Sequence, residues 1–226
     1  MDGKVVVVTG ASGALGKVVV EAALARGAKV AGVDHAAAQI PATGNRIELG
    51  GIDLSDAAQA KKAIDAAAAH FGRLDALVNI AGAFAFETVA DGDPKTWQRM
   101  YAINVLTALN ASRSALPHLA ASPSARIVNV GAMAALQGGA GMGPYATSKA
   151  GVHRLTEALA AEWKGKISVN AVLPSVIDTP ANRASMAKAD FSKWVTPQEL
   201  AEVILFLASD AASAITGVLL PVSGRV

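Results

Sequence analysis

The 226-residue sequence predicts an α/β chain folded as a single doubly wound, mostly parallel seven-stranded sheet with helices on both faces. Three observations predict it. Short β-branched runs with no polar alternation, such as residues 5–8, read as strands buried on both faces. These runs alternate with segments whose apolar residues repeat at helical spacing. No linker divides the chain and no solenoid-like repeat runs through it, so residues 1–226 read as one domain.

The elements follow in order. Strand 5–8 ends in Thr9-Gly10-Ala11-Ser12-Gly13-Ala14-Leu15-Gly16, and a helix then carries Val18, Val19, Ala22 and Ala23 inward until Gly27. Residues 28–33 read as the second strand, 36–45 as a loop and 46–49 as a short third strand. Helix 56–71 points Ala60, Ala63, Ile64, Ala67 and Phe71 at the core, and 74–80 is the fourth strand. Residues 84–92 read as loop. Asp93 and Pro94 then open a long helix that runs through Asn104 to about Leu119. Strand 126–130, a glycine-rich loop to Gly143, helix 145–164 and strand 167–173 follow. Residues 175–194 lack the periodicity of a core element and read as a lid, at about 175–196, over the strand ends. Helix 197–209 and strand 218–222 close the fold.

Bulk properties exclude several functions. No apolar run approaches the roughly 18 residues of a membrane span. Residues 1–4 leave no room for a signal peptide, so a cytoplasmic protein is expected. Without cysteine there is no thiolate metal site, and His35, His70, His118 and His153 show no ligand spacing, so no metal is expected. The net charge of +2 is small and its bases are scattered, which argues against nucleic acid.

The first strand, glycine turn and helix form a dinucleotide-binding context. Gly10 permits the tight turn, Gly13 lets backbone approach a pyrophosphate, and Gly16 lets the helix press on the sheet. Amides at the helix start, around Ser12 and Leu15, then face the phosphates. Asp34, at the end of the second strand, is placed to bind the adenosine-ribose hydroxyls and repel a 2′-phosphate. NAD(H) is therefore favoured, and NADP(H) is not excluded, because His35 adjoins the carboxylate. Asp53 and Leu54 fall where the adenine edge would lie. Tyr145 and Lys149 stand four residues apart and stack one turn apart on a helix. An ammonium there favours the phenolate, lowering the tyrosine pKa toward working pH for proton transfer. Asn104, between Ile103 and Val105, needs buried partners or a place in the site.

These residues resemble the short-chain dehydrogenase/reductase family over nearly the whole chain. The resemblance is carried by Thr9 through Gly16, Asp53, Asn79-Ile80-Ala81-Gly82, Asn104, Tyr145 with Lys149, and Pro174 through Thr179, all in family order. It implies a Rossmann fold, with Asn79, Ala81, Gly82 and Pro174 in the cofactor site. It also implies that Tyr145 is the general acid/base and that Lys149 lowers its pKa while holding the nicotinamide ribose. Asn104 would anchor a water, Ile177 and Thr179 would hold the carboxamide, and Asp53 would bind adenine. In the similar family the long helices also form subunit contacts, which implies a homodimer or homotetramer.

Two features depart from the pattern. The glycines fall at the second, fifth and eighth positions of the turn instead of the second, sixth and eighth. The serine expected thirteen residues before the tyrosine is Ala132, which donates nothing. Losing such a donor costs about 2.7–4 kcal/mol of transition-state stabilisation. Quinonoid dihydropteridine reductases are similar at the departing positions and in the lid, from Asp178 to Trp194, whereas residues 199–222 look like general bacterial reductases. The expected substrate is a small carbonyl, alcohol or ring compound. A quinonoid pterin and a catalytically silent NAD(H)-binding module are the alternatives. Trp97 and Trp163 read as packing residues, His153 as a packed or interface residue, and Trp194 as placed to close the lid on a flat substrate.

Overall fold

Seven strands form: β1 (Val5–Thr9), β2 (Lys29–Val33), β3 (Arg46–Leu49), β4 (Ala76–Asn79), β5 (Ala125–Val130), β6 (Ile167–Pro174) and β7 (Leu219–Val222). In this computed structural model, which describes residues 1–226, they make one sheet of order β3-β2-β1-β4-β5-β6-β7. Every neighbouring pair is parallel, so the sheet is wholly and not mostly parallel. The order reverses between β1 and β4, and the crevice at their carboxyl ends is where such sheets bind ligands.

The valine run of β1 is buried along its length because its alternate residues serve two cores. Val5 and Val7 join the face covered by α2 (Ala57–Phe71), α4 (Thr107–Leu119) and α5 (Gly143–Glu162). Val6 and Val8 join the face covered by α1 (Ala14–Ala25) and α7 (Pro197–Leu207). Alanines at 60, 63, 67, 111 and 115 let α2 and α4 lie close to the sheet.

Three elements differ from expectation. The long helix is α3 (Pro94–Tyr101), then a π-helical stretch over Ala102–Leu106, then α4. Asn104 sits in that stretch, a device that redirects side chains near functional sites. The lid region contains a short helix, α6 (Pro180–Ser185), capped by the Thr179 side chain. Trp194 is buried at 4% exposure against Phe191, so its ring packs the base of the lid and does not face an open crevice. Trp163 packs against the core and Trp97 lies against Gly143, as packing residues should. No helix is long and apolar enough to cross a membrane.

Candidate active site

The crevice begins where β1 and β4 end. Gly10 has φ +68°, and a Cβ there would lie 2.8 Å from the Ala81 nitrogen, so only glycine turns here with β4 this close. Thr9 Oγ1 accepts from the amides of Ile80 (3.1 Å) and Ala81 (3.2 Å), tying the two strand ends together. Any side chain at Gly16 would collide with the Gly10 carbonyl, so α1 presses directly on the turn. Helix α1 starts at Gly13 with no side-chain cap, leaving its first amides free for an anion.

Asp34 closes the far side. Its Oδ2 accepts from the Ser12 amide at 2.8 Å and its Oδ1 from the Ala36 amide at 2.9 Å. The carboxylate thus holds the glycine turn as well as facing the cavity. Asp53 Oδ1 accepts from the amide and hydroxyl of Ser55, while the Leu54 carbonyl accepts from Asn110. These residues line a cavity of about 840 Å³ with Gly10, Ser12, Gly13, Leu15, Gly16, Ala81, Gly82 and Thr179. Ala36, Ile52, Ser55, Ile103 and Thr107 line it too, and sequence reasoning missed them. Ile52 and Ser55 adjoin Asp53 and were findable by adjacency. Ile103 and Thr107 come from the long helix and carry no local signal. A cradle of free helix amides, glycines without room for Cβ and a facing carboxylate fits a dinucleotide.

Asn79 is not brought into that cavity. Its side-chain amide donates to Ser112 Oγ (3.1 Å) and Asn129 Oδ1 (2.8 Å), beneath the strand ends. Pro174 is buried as the last residue of β6, and Ile177 forms an isolated bridge with Val195 at the root of the lid. The Ile177 carbonyl accepts from Asn182 at 2.8 Å, and Thr179 Oγ1 accepts from the Asn182 amide.

Asn104 and Lys149 meet beside the cavity at Gly82, with Tyr145 one helical turn before Lys149. A Cβ on Gly82 would lie 2.6 Å from Asn104 Oδ1 and 3.2 Å from Lys149 Nζ. Asn104 is 1% exposed; its Oδ1 accepts from the Ala83 amide, and its Nδ2 donates to the Ala83 carbonyl and Ser148 Oγ. Its side chain thus ties the Ala83 backbone to Ser148. Lys149 is buried, with Nζ donating to the Val130 carbonyl at 2.8 Å. Phe84, largely exposed, meets the Tyr145 ring edge-on at 4.9 Å.

Electrostatics correct one expectation. The Tyr145 phenol does not fall toward working pH; burial pushes it up to about 12. Burial also lowers Lys149 to about 8, because desolvation penalises whichever form is charged. At neutral pH Tyr145 is thus a phenol and Lys149 an ammonium.

A family model described as short chain dehydrogenase matches residues 4–190. The chain is 34% identical to 2-(S)-hydroxypropyl-CoM dehydrogenase 3 of Xanthobacter autotrophicus, over 99% of this chain and 96% of that protein. It is 30% identical to the 3-oxoacyl-(acyl-carrier-protein) reductase of Thermotoga maritima, over 99% and 98%. Among solved structures, the 3-ketoacyl-(acyl-carrier-protein) reductase of Brucella melitensis complexed with NADH superposes with TM-score 0.85 at 30% identity, covering 99% of this chain and 98% of that one. The chain belongs to the short-chain dehydrogenase/reductase family. It is an NAD(P)-dependent oxidoreductase.

Proposed function

We propose that the protein is an NAD(H)-dependent reductase of a small carbonyl or ring compound, with Tyr145 as the proton donor. The observation that carries this reading is the Lys149 ammonium beside Gly82 at the edge of the cavity, with Tyr145 one helical turn before it. When bound, nicotinamide supplies the hydride. The chain supplies the rest.

In this reading the free amides at the start of α1, around Leu15, hold the pyrophosphate, and Asp34 accepts from the ribose hydroxyls and repels a 2′-phosphate. Asp53 faces the adenine edge with its second carboxylate oxygen. Ile177 and Thr179 orient the carboxamide, and Lys149 holds the nearer ribose. Asn104 fixes the Ala83 backbone and Ser148, and so the wall beside Gly82. Residues 175–196 act as the lid of a single 1–226 domain. The chain works as a homodimer or homotetramer in the cytoplasm.

Ala132 is 4% exposed and carries no donor, so Tyr145 alone would hydrogen-bond the atom that receives the proton. That, with the Phe84 ring against Tyr145, favours a conjugated ring such as a quinonoid dihydropterin as the second reading. The test is a panel of carbonyl compounds and quinonoid dihydropterin assayed with NADH and NADPH, on the parent and on Tyr145→Phe. The variant should lose turnover and keep its NADH affinity. Turnover that survives the change removes the proposed acid, and tight NADH binding with no turnover of anything favours a silent binding module.

A further inference from the structure

Helix α5 meets the end of β5 through three polar contacts on one face. Lys149 Nζ donates to the Val130 carbonyl at 2.8 Å. The Ala132 amide donates to His153 Nε2 at 3.3 Å, and Asn129 Nδ2 donates to Thr156 Oγ1 at 2.8 Å. The middle contact is the unusual one, because it ends on an imidazole that is 2% exposed. Gly131 makes room for it: a Cβ there would lie 2.5 Å from His153 Nε2. An Nε2 that accepts carries no proton, so the ring is neutral with its hydrogen on Nδ1.

We propose that His153 is a positioning residue whose neutral Nδ1–H imidazole pins the Ala132 amide and so keeps the Val130 carbonyl in place to hold the Lys149 ammonium. The functional half rests on the reading of Tyr145 and Lys149 given above. Residues 130–132 leave the sheet at the end of β5, and no other side-chain hydrogen bond reaches the amide of 132. Burial, Arg154 and Lys149 all oppose a positive charge on the ring. The neighbours around Gly131 add none, since the loop after β5 and strand β6 present Gly131, Ala132 and Leu173 there.

Long-range ¹H–¹⁵N NMR of the imidazoles at pH 7 reads the tautomer directly. The Nδ1–H form is expected for His153; an Nε2–H or doubly protonated ring overturns the assignment. The second measurement compares His153→Leu with His153→Gln, whose Oε1 takes the place of Nε2 as acceptor. His153→Leu should weaken NADH, followed by its fluorescence, roughly threefold to tenfold, and lower turnover of whichever oxidant is reduced by about tenfold, as a misplaced site does. His153→Gln should recover most of both. Parental values in His153→Leu, or equal losses in the two variants, overturn the positioning role. The tautomer needs neither cofactor nor substrate, so a wrong tautomer removes His153 alone, whereas a Tyr145→Phe enzyme that still turns over removes the proton-donor reading alone.

Discussion

Tyr145 and Lys149 show what spacing carries and what it leaves out. Four residues of separation put both groups on one helical face, but the dielectric around them is made by Phe84, Gly82 and the β5 end, all distant in sequence. Burial alone sets the shift, and the phenol stays protonated. The same burial acts on His153, lowered to about 4 from 6.5 by desolvation first, then by Arg154 and Lys149. Its folded pKa lies below its unfolded one, so the unfolded chain binds the extra proton between those values. Stability is then present above pH about 6.5 and lost as pH falls toward 4, by at most about 3 kcal/mol. Urea midpoints measured from pH 7 to pH 4 should fall less steeply in His153→Gln than in the parent. Asp34 gives the second prediction at this scale. Asp34→Ala removes the charge that would face a 2′-phosphate, so the ratio of NADPH to NADH affinity should rise by at least about tenfold. Absolute NADH affinity should fall as well, because the Ser12 and Ala36 amides lose their acceptor. Fluorescence titration with both dinucleotides reads the two effects separately.

Among the elements, the strands were legible because a parallel strand buried on two faces has to be a short β-branched run, and Val5 to Val8 is one. The glycine turn was legible for a similar reason, since Gly10 and Gly16 stand where a Cβ would strike backbone. Helix α6 did have a signal in Thr179-Pro180, a cap followed by a proline at the first turn, although its few apolar residues hid it. The π-helical stretch around Asn104 had none. Within it Asn104 bonds both the Ala83 backbone and Ser148, partners brought there by the tertiary fold. The side-chain partners of Asn79 were hidden for the same reason: its motif locates the strand end, but not the side of the sheet to which the side chain turns. Asn104→Ala leaves the Ala83 amide and carbonyl without their partner, and a buried polar group so stranded costs about 1–3 kcal/mol. The variant should unfold at lower urea by an amount of that order. If Asn104 builds the wall beside Gly82, its turnover should fall further than its stability accounts for, which kcat measured well below the melting temperature will show.

For the molecule as a whole, doubly wound topology puts the motif residues of β1, β4 and α5 at one rim although they are spread over more than half of the sequence. The segment of residues 175–196, proposed as the lid, is the part least determined by that topology. Its two ends are zipped by the Ile177–Val195 bridge and by hydrogen bonds from Asp178 to Val195 and from Val195 to Val176. Between them the segment is held mainly by its own contacts: Arg183 pairs with Asp178 and lies over the Phe191 ring at 4.9 Å, and Phe191 leans on the buried Trp194. A segment with firm roots and few core contacts opens locally at low cost. Arg183 and Lys188 are both exposed in it, so limited trypsin should cut there first. If residues 175–196 close over the nicotinamide end of the cavity, saturating NADH should slow that cleavage several-fold, in line with stabilisation by a bound ligand. Cleavage at Lys61 and Lys62, exposed on α2 away from the cavity, serves as the internal control. Equal protection at both places would mean that the cofactor stabilises the whole fold and that the lid does not move with it.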